Sequence, residues 1–212
     1  MTPEPWILAT RNPGKLRELR ALFADAGLAV IDLAEAGIDE REEEESIEIF
    51  DTFEGNALAK ARYYARRAEG RAVVADDSGL EVLALDGAPG VKSKRWSGRD
   101  DLAGAALDAA NNALLLARLR GIADRRARFV CAAAWCGSGD VEVVRGEVPG
   151  VIVDEASGRE GFGYDPHFLA TELGRTLGDA TVAEKQLVSH RGRACTALLG
   201  ALRVRGVLGR AR

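Results

Sequence analysis

"ILATRNPGKLREL", Ile7 to Leu19, is the stretch whose reading decides the fold. An apolar run gives way to a polar turn with Pro13 and Gly14, and then to a helical pattern. Pro5 to Thr10 reads as a buried strand. The helix runs from near Gly14 to Ala26, with Leu16, Leu19, Leu22 and Phe23 on one face and Gly27 as its stop. Leu28 to Leu33 is the next strand. Strand, turn, helix, strand is the grammar of an α/β sheet. The same stretch looks like half a phosphate loop. A Walker loop reads G-x-x-x-x-G-K-[ST]; here the first Gly is missing and Leu16 follows the lysine. A strand end feeding a helix N-terminus still offers free backbone N–H groups and the positive end of a dipole. Thr10 and Asn12 add neutral donors and Lys15 a mobile charge. The plain alternative is a capped helix with a surface lysine.

Outward from this unit, Asp39 to Glu48 ("DEREEEESIE") reads mostly as solvated carboxylates. Asp51-Thr52-Phe53-Glu54 has the form of a capping box with Asp51 as N-cap. Its helix reaches about Glu69, with Gly70 as stop. Ala57, Ala61 and Tyr64 make its buried stripe; Asn56, Lys60 and Arg67 share another face. Arg71 to Asp76 is a short strand ending in Asp76-Asp77-Ser78-Gly79, and Leu80 to Leu85 a further one. A Gly/Pro-rich loop leads to a helix over Asp101 to Arg120. Arg128 to Trp135 and Val141 to Val148 are joined by the hairpin signal "CGSGD", and Val151 to Asp154 follows as a third strand. A loop, "GREGFGYDPHF", leads to a short strand, and a last helix spans about His190 to Val204. Hairpin-connected strands in the middle of an α/β chain predict a mixed sheet, in one domain over residues 1–212.

Composition narrows the function classes. The chain has 212 residues, 47% of them apolar, enough for a sizeable core. A net charge of −4 gives no footprint for duplex nucleic acid. Cys131, Cys136 and Cys195 are an odd number with no C-x-x-C, which points to buried thiols and a reducing, cytoplasmic setting. The N-terminus lacks the pattern of a signal peptide. No apolar run approaches the roughly 18 residues of a membrane span.

Four further clusters could carry chemistry. Adjacent Asp76 and Asp77 suit a metal or a general base, since paired like charges need a compensating cation. Side chains alternate along a strand, so the two need not share a target; an Asx-type turn closed by Gly79 is the alternative. One Glu of the acidic stretch with Asp77 would satisfy Mg²⁺, which takes one or two carboxylates plus phosphate oxygens. Residue chemistry alone does not choose among Glu42 to Glu48. Phe162 and Tyr164 in the Gly-rich loop Gly161 to Pro166, with Asp165 beside them, could stack on a base and bond to its edge. Lys185, Ser189, His190 and Arg191 could bind a small polar ligand. No G-x-S-x-G elbow supports a serine nucleophile.

Six motifs in order, "TRNPGK", "TFEGNALAKA", "ADDSGLEV", "GAPGVKSKRWSG", "GFGYDPHF" and "EKQLVSHRGRA", resemble the inosine triphosphate pyrophosphatase family. The resemblance runs from about Ile7 to Leu202. It implies an α/β fold: an elongated mixed sheet flanked by helices, in two lobes with a central cleft. It implies Mg²⁺-dependent hydrolysis of ITP, dITP and XTP to the monophosphate and pyrophosphate by a homodimer; composition adds the expectation of a cytoplasmic protein with no nucleic-acid or membrane partner. By resemblance, Thr10, Arg11, Asn12, Pro13, Gly14 and Lys15 form the phosphate loop. Asp77 is the catalytic proton acceptor and a metal ligand, and Glu48 is the other metal ligand. Lys60 binds phosphate and Ser78 contacts substrate. Phe162, Gly163, Tyr164, Asp165, Lys185, His190 and Arg191 form the nucleoside pocket, where His190 and Arg191 donate to a 6-keto oxygen. Asp76 is the alternative base. Departures from the family pattern include Arg11, where Gly is common, and Ile49-Phe50-Asp51, which lacks the usual Gly after Glu48. Arg11 is expected to reach the phosphates or the solvent edge of the cleft. Pyrophosphate release from other modified nucleotides, or a sensor without turnover, are the other readings.

Overall fold

The structure, a computed structural model, describes residues 4–208, the side chain of Glu45 excepted. Its strands are β1 (Trp6–Leu8), β2 (Val30–Asp32), β3 (Val73–Val82), β4 (Arg126–Gly137), β5 (Asp140–Ile152), β6 (Phe168–Ala170) and β7 (Arg175–Thr176). Its α-helices are α1 (Pro13–Asp25), α2 (Phe53–Arg67), α3 (Gly104–Arg118), α4 (Val182–Val188) and α5 (His190–Val204). The sheet order is β2-β1-β3-β4-β5-β6-β7. Around β1 the pairing is parallel, with Ile7 opposite both Ile31 and Val73. At the other end β6 is antiparallel to β5 and β7. The sheet is therefore mixed, as expected. The β4–β5 hairpin turns on Ser138 (φ 52°) and Gly139 (φ 83°). Positive φ at both loop residues is what a two-residue hairpin with the native twist requires.

The helix ends follow from local chemistry. Asn12 Oδ1 accepts from the N–H groups of Gly14 (2.8 Å) and Lys15 (3.0 Å), and Pro13 stands in the first turn, where its missing N–H costs nothing. Gly27 (φ 71°) ends α1 in the left-handed region. The cap of α2 is Thr52, not Asp51: its hydroxyl accepts from Gly55 N at 3.2 Å. Helix α4, capped by the reciprocal Thr181–Glu184 box, was not anticipated. Its seven residues are too few for the periodicity to register.

Three strand assignments differ from expectation. Val73–Val82 is one continuous strand, so Asp76-Asp77-Ser78-Gly79 is extended rather than a turn, and Gly79 does not adopt a positive φ. Leu83–Leu85 is a 3-10 turn instead of a strand. Likewise β5 runs through Pro149-Gly150 to Ile152, absorbing the separate strand expected there.

The chain forms two compact units. The first holds the residues up to Asp77, Cys131–Gly146 and those from Arg191 onward; the second holds Ser78–Val130 and Glu147–His190. In the first unit, Leu8, Leu19, Phe23, Val74, Trp135 and Leu198 form the apolar core. Trp6 meets Phe23 edge-on at 6.1 Å. In the second, Leu80, Leu115, Phe129, Ile152, Phe168 and Leu177 do the same. Each such side chain, once buried, contributes about 1.5–3 kcal/mol of transfer free energy. Cys131 and Cys195 are buried free thiols, while Cys136, also expected to be buried, is half-buried. Among the described residues no helix is long and apolar enough to cross a membrane.

Candidate active site

The polar centre of the first unit is built around β3. Ten residues of almost wholly buried strand carry two adjacent aspartates, and the pleat sends them to opposite sides. Asp76 meets Lys15 Nζ at 3.1 Å and Arg191 Nε at 3.1 Å, both through Oδ2. Its Oδ1 is buried with no hydrogen-bond partner among the described residues. Burial opposes ionisation of Asp76, but the charges of Lys15, Arg191 and Lys60 outweigh it and hold the carboxyl well below the usual range. Asp77 accepts from Asn56 Nδ2 at 3.0 Å. Burial, reinforced by the nearby charge of Glu48, raises the Asp77 pKa despite the pull of Lys15 and Lys60. Neighbours in sequence thus have opposite acidities: a fixed anion and a carboxylate that takes a proton more readily.

Lys60 joins the two carboxylates to the acidic segment. Its Nζ donates to the Asp76 carbonyl at 3.1 Å and pairs with Glu48. Burial works against its charge, but Glu48, Asp76 and Asp77 raise its pKa on balance. A lysine ammonium therefore already stands where carboxylates of two segments face each other. No group of three or more metal-type ligands occurs among the described residues. Glu48 and Asp77 do supply the hard oxygen pair that Mg²⁺ takes when substrate and water complete its shell. The donor chemistry therefore fits such a cation.

Three expectations need correcting. The backbone N–H groups at the start of α1 are not free, because Asn12 takes two of them and its carbonyl takes that of Leu16 at 2.9 Å. Thr10, Gly14 and Lys15 stay inside the centre, while Pro13 is exposed. Arg11, expected at the phosphates or the solvent edge, is exposed and holds Glu44 through Nε (2.9 Å) and Nη2 (3.0 Å). Arg191 is 1% exposed, with its guanidinium on Asp76 and Glu18, so it is a buried countercharge rather than an open donor.

The second unit carries the other cluster. Lys185 and Asp165 form a buried ion pair at 2.6 Å, and Asp165 Oδ2 also accepts from Phe162 N at 3.0 Å. Tyr164 donates to the Ser93 carbonyl at 2.8 Å. The Gly163 peptide is held at both ends from α3: its N–H donates to Asp108 (2.8 Å) and its carbonyl accepts from Asn112 (2.9 Å). His190 stacks on Phe129 with ring centres 4.7 Å apart. Ser78 is half-buried on β3. Gly161 has φ 83°, and a Cβ there would lie 2.1 Å from Asp165 Oδ2 and 2.5 Å from Lys185 Nζ. Gly161→Ala is therefore expected to cost about 1–3 kcal/mol, read from urea unfolding. An unchanged midpoint would show that the loop has another conformation to use.

Sequence reasoning missed Glu18, Asp108 and Asn112. They are ordinary polar helix residues whose partners lie far along the chain, and nothing local marks them. Asn56 was legible only as a neighbour of Lys60 on one helix face.

Lysines and buried carboxylates gathered on a mixed sheet define the class: an α/β protein whose polar centre carries the charges that polyphosphate chemistry uses. The chain belongs to the Ham1 family, whose model matches residues 6–201. It is 53% identical over 200 residues to the "dITP/XTP pyrophosphatase" of Mycobacterium tuberculosis, covering 93% of this chain and 94% of that protein. It is 46% identical over 199 residues to the protein of that name from Burkholderia pseudomallei, covering 92% of each. The Staphylococcus aureus Ham1 protein superposes with a TM-score of 0.79 at 36% identity, over 95% of this chain and all of that one. A HAM1 protein from Coxiella burnetii gives 0.80 at 33% identity, with the same coverage.

Proposed function

We propose that this chain hydrolyses non-standard purine nucleoside triphosphates, dITP, XTP and ITP, to the monophosphate and pyrophosphate. The observation that carries the reading is a pair of adjacent buried aspartates beside Lys15 and Lys60, in a chain that aligns over 93% of its length with a dITP/XTP pyrophosphatase. Asp77 is the group that orients and deprotonates the attacking water: it accepts from Asn56 on the side of β3 away from the Asp76 ion pairs, beside Glu48 and Lys60. Asp76 is a poor base, because Lys15 and Arg191 stabilise its charge. Its role is to hold Lys15. Lys15 and Lys60 bind the phosphate chain and stabilise the departing pyrophosphate.

Glu48 and Asp77 would hold Mg²⁺, which when bound neutralises charge on the phosphate oxygens. Phe162 stacks on the base, and His190 donates to a 6-keto oxygen. A 6-amino purine would leave that donor unpaired, a mismatch worth orders of magnitude in discrimination. Arg191, paired with two carboxylates, is left out of base recognition. The protein works as a single-domain, cytoplasmic homodimer. Cleavage of other modified nucleotides is the second reading, and binding without turnover the third.

A pyrophosphate-release assay with dITP, XTP, ITP, GTP and ATP separates the three readings. Release from the first three, with ATP slower by about 10² or more, is the expected result. Folded protein that binds nucleotide and releases nothing would make it a sensor.

A further inference from the structure

We infer that Glu44 is a positioning residue for the divalent-cation site at Glu48 and Asp77, gripped for that purpose by Arg11, Tyr64 and Arg67. The inference rests on the metal reading proposed above. Within a segment expected to be solvated, the Glu44 side chain is only 11% exposed. Four donors converge on it: Arg11 Nε and Nη2 at 2.9 and 3.0 Å, Arg67 Nη1 at 2.9 Å and the Tyr64 hydroxyl at 2.6 Å. The carboxyl is held below its ordinary pKa even though burial, the largest influence, pushes it upward. Arg67 also donates to the Asp39 carbonyl at 2.7 Å, which ties the segment down a second time.

The geometry downstream gives this grip its purpose. Phe50 is fastened by Asn56, which accepts from its N–H at 2.9 Å and donates to its carbonyl at 3.1 Å. Asn56 donates to Asp77 as well. Glu48 thus lies on a short span between two anchors, one at Glu44 and one at Phe50. Only with both ends fixed does the chain deliver the Glu48 carboxylate to Lys60, beside Asp77. The need is electrostatic: a run of glutamates repels itself when packed, and Arg11 and Arg67 supply the offsetting charge at Glu44. Arg11 follows Thr10 and precedes Asn12, so the same contact joins the acidic segment to the start of α1.

The probe is Mn²⁺ alone, added to the nucleotide-free full chain and followed by the electron paramagnetic resonance of the free ion. Glu44→Gln should weaken Mn²⁺ binding by about tenfold, the effect typical of groups that orient metal ligands. Arg11→Met should act in the same direction, and Arg11→Lys should restore part of the loss. Glu43→Gln, on a neighbour whose side chain is 57% exposed, should change little. Far-UV circular dichroism establishes that each variant is folded; if Glu44→Gln is not, Arg11→Met decides. Folded variants that bind Mn²⁺ within about twofold of the parent overturn the inference and leave the metal reading intact. Equal losses in Glu43→Gln and Glu44→Gln overturn it too, since bulk charge alone would then suffice. A parent that binds no Mn²⁺ removes the metal reading and this inference together.

Discussion

Asp77→Asn will lower kcat by about 10³-fold, within the usual range for loss of a general base, while making the protein more stable. The two effects have one source. Burial and Glu48 raise the Asp77 pKa in the folded state. A carboxyl with a raised folded pKa favours folding when protonated, and that contribution is lost as pH rises through the folded value. At neutral pH the ionised Asp77 is therefore a cost, which an uncharged amide of the same shape removes. The carbonyl of the introduced amide could still accept from Asn56, so the local hydrogen bond survives. Steady-state pyrophosphate release and thermal melting test this together. The melting point should rise by a few degrees, and the gain should grow with pH above the ordinary carboxylate range. A variant that keeps turnover within about tenfold of the parent would remove Asp77 from its catalytic role. One that melts lower would show that its charge is compensated in the folded state.

Arg191→Met tests the opposite kind of group. Arg191 is buried, with Asp76 on Nε and Glu18 on Nη1. Removing one partner of a buried pair leaves an uncompensated charge, which costs about 3–5 kcal/mol. The urea midpoint should fall accordingly, with the m-value unchanged. Asp76 then fixes the pH dependence. Its folded pKa is depressed, so its contribution is present above the ordinary Asp value and is lost as pH falls through the lowered one. In Arg191→Met this acid sensitivity should move toward neutral pH. The family resemblance instead makes Arg191 a base contact, which predicts a raised KM for dITP and an unchanged urea midpoint. A lowered midpoint with an unchanged KM in the folded variant supports the countercharge alone, and a raised KM supports the base contact.

The sheet type was legible because Ile7 to Leu33 alternates strand and helix while the middle strands are joined by a hairpin signal, and both patterns are local. The β3 reading failed for a physical reason. Asp-Asp-Ser-Gly has turn chemistry, and only partners far along the chain, Lys15, Asn56 and Arg191, make two buried aspartates tolerable in a strand. The ion pair of Glu48 with Lys60 was not legible either, since the two lie on separate segments. That Arg11 grips Glu44 was not legible, since an arginine beside a phosphate-type loop and a run of glutamates each carry an ordinary local explanation. Long-range charge pairing was the missing information at each of these positions.

Extended backbone through Asp76 and Asp77 also governs how this region can change over time. The two carboxylates differ in role only because consecutive side chains leave opposite faces of β3. Replacing either one changes its own face directly and reaches the other only through the charges of Lys15 and Lys60. Gaining or losing a single residue upstream within the strand would exchange the faces. A gain would carry Asp76 to the place beside Asn56, and a loss would carry Asp77 to the place beside Lys15 and Arg191; neither keeps both sets of contacts. The length of β3 ahead of Asp76 is therefore a stricter requirement of this chain than the length of the loops around it.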